Sequence, residues 1–168
     1  MNRNRIAISL VVLLAAVAAP AQSGAQQSFA SIKALAGQWE GKNQMGDPIQ
    51  VSYRLTAGGS AVMSEIVSQM NGKSEDMITM FNMDGDRLLL THYCEAGNQP
   101  RMQASTSPDG KTITFNFLDA TNLASANAPH MHRLVINVID ANHHIEEWHF
   151  AAGPGHEIVE RFDLTKKS

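Results

Sequence analysis

Turn-forming residues punctuate this chain from Trp39 onward at nearly regular intervals, and that spacing constrains the fold more than any other feature. Met45-Gly46-Asp47-Pro48, Gly58-Gly59, Asn71-Gly72 and Asp84-Gly85 come first. Gly97-Asn98, Pro108-Asp109-Gly110, Asp140-Ala141-Asn142 and Gly153-Pro154-Gly155 follow, and the polar stretch Asp119–Pro129 makes a ninth connection. Asn-Gly and Asp-Gly supply the positive φ of tight hairpins. Nine connections separate about ten strands, and spacings near a dozen residues point to an all-β protein. The segments between turns agree. Val51, Tyr53 and Leu55 alternate with Ser52 and Arg54; Ile113, Phe115 and Phe117 alternate with Thr112, Thr114 and Asn116; Leu134, Ile136 and Val138 share one parity. Period two with one polar face marks a half-buried strand. Met77–Met83 and Leu88–Leu90 are apolar on both faces, which blurs their orientation.

Successive hairpins imply up-and-down order, and closing such a sheet removes its exposed edges. The expected fold is a closed up-and-down antiparallel β-barrel of about ten strands, preceded by a short N-terminal helix. That helix is expected over Ser28–Ala36, with Ser28 as N-cap, Phe29, Ile32 and Leu35 on one side, and Gly37 just past its end. A length of 168 residues with 43% hydrophobic content fits one such domain.

The first residues read as an address. Arg3 and Arg5 precede an uncharged run from Ile6 to Ala19, and Ala19-Pro20-Ala21 supplies a small-residue cleavage site. These are the parts of a secretory signal peptide over residues 1–21; a second possible cut follows Ala25. The run is short of the roughly 20 residues a membrane span needs. Residues 22–168 then form the single domain, expected to be a periplasmic or secreted bacterial protein without stable membrane insertion. Losing Arg3 and Arg5 takes the 13 Lys and Arg to 11, against 16 Asp and Glu, a net charge of −5. That balance argues against nucleic acid as a partner. Cys94 is the single cysteine, so no disulfide framework exists within the chain.

Gly37-Gln38-Trp39 lies where the helix enters the first strand, and Arg161 lies in the last strand. This resembles the G-x-W plus C-terminal Arg arrangement of the calycin superfamily, meaning lipocalins, fatty-acid-binding proteins and nitrobindin-like barrels. The resemblance implies that Trp39 closes one end of the barrel, with Gly37 at the strand entrance and the Arg161 cation across the indole, a contact of about 0.5–2 kcal/mol. The chain, with Thr91-His92-Tyr93-Cys94 and Gly97-Asn98-Gln99-Pro100-Arg101-Met102, also resembles a group of exported bacterial lipocalin-like proteins. That likeness implies fold and compartment and brings no activity.

Strand parity selects the candidate site. His92 and Cys94 share parity with Leu88 and Leu90, His130 and His132 with Leu134 and Ile136, and His144 and Glu146 with Trp148. His143 and His149 take the opposite parity and are expected to face solvent. The main functional expectation is a binding protein for a small apolar or amphipathic molecule. Phe115, Phe117, Leu134, Ile136 and Trp148 would wall its cavity, His92, Cys94, His130 and His132 would orient a polar group, and Arg101 would meet an anionic or amide group at the mouth. Numerous methionines suit an adaptable cavity, though they serve equally as core filler. A second reading makes His92-x-Cys94 and His130-x-His132 ligands for haem or a transition metal; nitrobindin-like barrels bind haem through a histidine, but no motif here carries that ligand over. A third is an enzyme, with Cys94 beside His92 or His130 as nucleophile and base, or His132 with Glu146 as an acid–base pair. Neither has a diagnostic local signature.

Overall fold

The computed structural model describes residues 23–70 and 73–168. The stretch read as an export signal, residues 1–21, and the Asn71-Gly72 turn lie outside the described residues. α1 (Gly24–Ala34) begins on a capping box: Gln26 N–H donates to Ser23 Oγ at 3.3 Å, and the Gln26 side chain accepts from the Ser23 N–H at 3.0 Å. The helix therefore starts earlier than Ser28. Ser28 is instead a buried mid-helix residue whose hydroxyl donates to Gly24 O and also meets the Thr106 hydroxyl. Leu35 is the C-cap, and Gly37, at φ +137°, opens the first strand rather than ending the helix.

Ten antiparallel strands follow: β1 (Gly37–Lys42), β2 (Pro48–Thr56), β3 (Ala61–Met70), β4 (Lys73–Asp84), β5 (Arg87–Tyr93), β6 (Gln99–Thr106), β7 (Thr112–Thr121), β8 (His130–Asp140), β9 (His143–Gly153) and β10 (His156–Lys166). Each pairs with its neighbour in sequence, and β1 pairs with β10 from Trp39↔Lys166 to Lys42↔Asp163, so the sheet closes. The closed up-and-down barrel expected from the turn spacing is the observed fold. At the closing seam a Cβ added to Gly41 would lie 1.9 Å from the Asp163 carbonyl oxygen, so β1 and β10 approach closely only because that position is glycine.

Alternation places the core. Ile49, Val51 and Tyr53 on β2, Leu88 and Leu90 on β5, and Ile113 and Phe115 on β7 are buried in one cluster with Phe29, Ile32 and Leu35 of α1. The helix thus plugs one end of the barrel, where Trp39 Nε1 donates to Leu35 O at 2.7 Å. The β1–β2, β5–β6 and β9–β10 connections lie at the opposite end, since the strands run antiparallel. β9 reads off the depth of the interior: His144 and Glu146 lie in the filled half, Trp148 next, and Phe150 nearest the open end.

Extra residues shift the register at four places among the described residues, Leu118 on β7, His132 and Ile139 on β8 and Ala152 on β9, and two of these bear on the site. The register of β8 against β9 shifts between Met131 and Arg133, leaving His132 as the extra residue. On β7, Leu118 is extra against β6, between the pairs Met102↔Phe117 and Arg101↔Asp119. No helix among the described residues is long and apolar enough to cross a membrane.

Candidate functional site

The filled half of the barrel is built around a buried carboxylate. Glu146 is fully buried and accepts from Tyr53 Oη at 2.6 Å, Trp148 Nε1 at 2.8 Å and His144 Nε2 at 3.2 Å. Burial alone would push its carboxyl up, but the His144 imidazole and the Tyr53 and Trp148 donors outweigh it and hold the group below its ordinary value. Burial, and then the Glu146 charge, push the Tyr53 phenol well above its ordinary value, so it stays a donor. His144 packs edge-on against Trp39, with ring centroids 4.3 Å apart. Every polar atom of Glu146 is used, and a carboxylate so satisfied braces the interior.

Trp148 carries this brace toward the open end. Its ring lies against His92, with centroids 4.6 Å apart. His92 is fully buried, and its Nδ1 is 2.8 Å from Thr79 Oγ1 while its Nε2 has no partner. Burial pushes the imidazole down to about 4 against the pull of the Glu146 charge, so it is neutral at physiological pH. His92 and Ser68, whose buried hydroxyl is likewise without a partner, face an inner chamber of about 50 Å³ lined also by Ile66, Met77, Met131 and Trp148. Beyond it lies a mouth of about 440 Å³ lined by Met45, Glu75, Met77, Cys94, Glu95, Met131, Phe150, Ile158 and Glu160. The two spaces share Met77, Met131 and Glu160 in their walls.

The expected site residues divide accordingly. His92 and Trp148 line the chamber, and Cys94 lines the mouth. Phe115, Leu134 and Ile136 do point inward, but they are fully buried in the packed core and line neither space. Phe117 is 37% exposed and meets the His130 ring at 4.7 Å, displaced by the Leu118 bulge. The bulge at His132 reverses the face of β8 toward its start, so Met131 takes the inward position expected of the histidines. His130 Nδ1 bonds the Ala128 carbonyl at 2.7 Å, and His132 Nε2 bonds Glu157 at 2.7 Å on the outer face, where His149 also approaches Glu157. His143, also outward, bonds Asp163 at 2.8 Å.

Several of the side-chain pairings named for the enzyme and metal readings are not formed among the described residues. Glu146 pairs with His144, not His132. His92 Nδ1 is taken by Thr79 rather than Cys94, and burial pushes the Cys94 thiol up, the reverse of an activated nucleophile. Among the described residues no group of three or more His, Cys, Asp and Glu side chains is arranged to hold a metal ion, and His92 is separated from the His130–His132 pair. Arg101 is exposed and forks onto the Asp119 carboxylate, with Nε to Oδ1 at 2.6 Å, because it sits on the outer face beside the β7 bulge. Asn98 is tied to the Pro129 carbonyl at 2.9 Å as a loop brace.

Barrel closure is partly as expected. Trp39 does seal the helix end, but Arg161 is exposed and pairs with Glu147 and Asp163. Lys166 supplies the cation instead, its Nζ 5.3 Å from the Trp39 ring centroid. Arg161 has the wrong parity, lying between the inward residues Glu160 and Phe162, whereas Lys166 is the direct cross-strand partner of Trp39. Gly37 belongs to the same device, since an added Cβ there would lie 2.9 Å from Lys166 Cε.

Two inward carboxylates escaped sequence reasoning. Glu160 shares parity with Ile158, Phe162 and Leu164 on β10, and Glu75 with Met77 and Thr79 on β4. That parity is a usable signal, offset by the ordinary preference of acidic side chains for solvent. Glu160 Oε2 is buried without a partner. Burial, and then the charges of Asp47 and Glu75, raise its carboxyl above the ordinary value.

No known protein family matches this chain, and no curated protein matches it.

Proposed function

We propose that this chain is an exported binding protein that holds a small apolar or amphipathic molecule at the open end of a calycin-like barrel. One observation carries the reading: His92 Nε2 and Ser68 Oγ are buried, have no partner, and face a chamber that shares its walls with a larger mouth. An unpaired buried polar group costs about 1–3 kcal/mol, so such groups find a partner in protein, water or ligand. The chamber is larger than the roughly 10–15 Å³ one water requires. The mouth falls within the roughly 300–1,000 Å³ typical of ligand pockets, and apolar side chains surround its few polar groups. Met45, Met77 and Met131 give its walls adjustable shape. His92, neutral and oriented through Thr79, offers one hydrogen bond to whatever reaches the chamber.

The test is native mass spectrometry of protein taken from its own host. A bound species released on denaturation is the expected result. Protein that emerges only at the polypeptide mass, with Trp148 fluorescence unmoved by added amphiphiles, would overturn the reading. The export arm is supported by the position of the Ser23 capping box just after the Ala21 cleavage site.

A further inference from the structure

We infer that the ligand of this mouth carries a positive charge: the site is built for a small amphipathic cation, an amine or quaternary ammonium on an apolar body, with Glu160 as its principal counter-charge. The inference rests on the binding function proposed above and names the class of molecule bound.

The sign of the mouth is the first observation. Glu75, Glu95 and Glu160 line it, and no Lys or Arg is among the described residues that do. Glu160 is an interior residue by strand parity, held on the face that buries Phe162 on β10. Turning a carboxylate inward at a barrel rim is costly unless something compensates it. Glu160 Oε2 is buried without a hydrogen bond, and the charges of Asp47 and Glu75 that act on its carboxyl are of its own sign.

The second observation is independent of the acids. His92 is fully buried, faces the chamber that Glu160 also lines, and has a free Nε2. The imidazole is uncharged, so it contributes a hydrogen bond without offsetting the negative field. An anionic amphiphile such as a fatty acid would bring a further negative charge beside the unpartnered Glu160 carboxylate. A purely apolar molecule would desolvate Glu160 and leave it unpaired. A cation removes both penalties, while Met45, Met77, Phe150 and Ile158 cover its apolar body. The Phe150 ring adds a face on which an ammonium can rest.

The probes are octylamine, octanoate and octan-1-ol, which share one chain and differ in head-group charge, titrated calorimetrically into the full processed protein. Octylamine is expected to bind about tenfold or more tightly than octanoate, the gain of a charge-assisted contact. Glu160→Gln is expected to cut that ratio by about threefold or more. Glu95→Gln, on the exposed rim, cuts it in the same direction and serves should the Glu160 variant not fold. Glu147→Gln, on the outer face, leaves it unchanged and separates the site from the net charge of the molecule. Octanoate binding as tightly as octylamine would overturn the inference while leaving a binding barrel in place, as would a ratio indifferent to both mouth substitutions or equally sensitive to Glu147→Gln. Absence of binding by all three probes would overturn the inference and count against the binding function itself.

Discussion

Replacing Tyr53 with Phe removes one oxygen from the barrel interior and isolates the contribution of the Glu146 brace. The lost bond is a 2.6 Å contact from a buried phenol to a buried carboxylate. Hydrogen bonds to charged groups contribute about 1.5–3 kcal/mol net, and Phe refills the ring volume, so little cavity cost is added. A loss of about 2 kcal/mol at pH 7 follows, or roughly 4–8 °C in melting temperature for a chain of this size. The pH dependence has a definite sign. Hydrogen bonds hold the folded Glu146 carboxyl below its ordinary value. Such a group contributes stability that is present above its unfolded pKa and lost as pH falls through the folded one. Tyr53→Phe removes one of those donors, so wild type and variant differ most near neutrality and converge as both carboxyls protonate in acid. Urea unfolding followed by circular dichroism at pH 7, 5 and 3 reads this directly. A Tyr53→Phe deficit that grows as the pH falls, or is absent at pH 7, would refute an ionised, hydrogen-bonded Glu146.

Three further outcomes are expected. Lys166→Ala should cost about 0.5–1 kcal/mol through the lost contact with Trp39, and Arg161→Ala less than about 0.5 kcal/mol because its pairs are exposed; the two urea midpoints compare the cations. Gly41→Ala should cost about 2 kcal/mol or more, because its Cβ would meet the backbone of β10, whereas Gly24→Ala, with nothing within 4 Å of the added carbon, should change stability by less than about 0.5 kcal/mol. On the proposed export, amino-terminal sequencing of the processed chain should begin at Gln22, keeping the Ser23 cap; a start after Ala25 would remove that cap and the first residues of α1, and an unprocessed start at Met1 would refute the proposed cleavage.

The fold was legible because turns and strands are local. Hairpin chemistry needs only two or three adjacent residues, and strand order follows once every connection is short. The site was legible only where alternation ran unbroken. His92 on β5 and Trp148 on β9 lie in stretches where their own strands carry no extra residue. On β8 a single extra residue at His132 exchanged the faces of everything before it, and nothing local in His130-Met131-His132 announces a bulge. Lys166 is hard to read for a related reason: which cation crosses Trp39 depends on the β1–β10 register, a pairing of the first strand with the last. The start of α1 is hard to read because its capping box directly follows the signal-like residues, where polar side chains suggest a linker.

The polar interior of this barrel gains a purpose when followed along β9. Glu146 is satisfied on both oxygens, and the donor on Oε2 is the Trp148 indole. That bond restricts the rotation of a ring which, on its other side, packs against His92. His92 is held in turn by Thr79, which leaves its Nε2 unused at the chamber wall. A core made only of aliphatic side chains would fill the same half of the barrel and lack this directional control. Retaining a fully buried carboxylate is thus best understood through what it positions. The brace holds the floor of the chamber rigid, while Met77 and Met131 above it supply walls that can move. Rigid polar orientation below and adaptable apolar contact above is the division of labour a selective binding site requires.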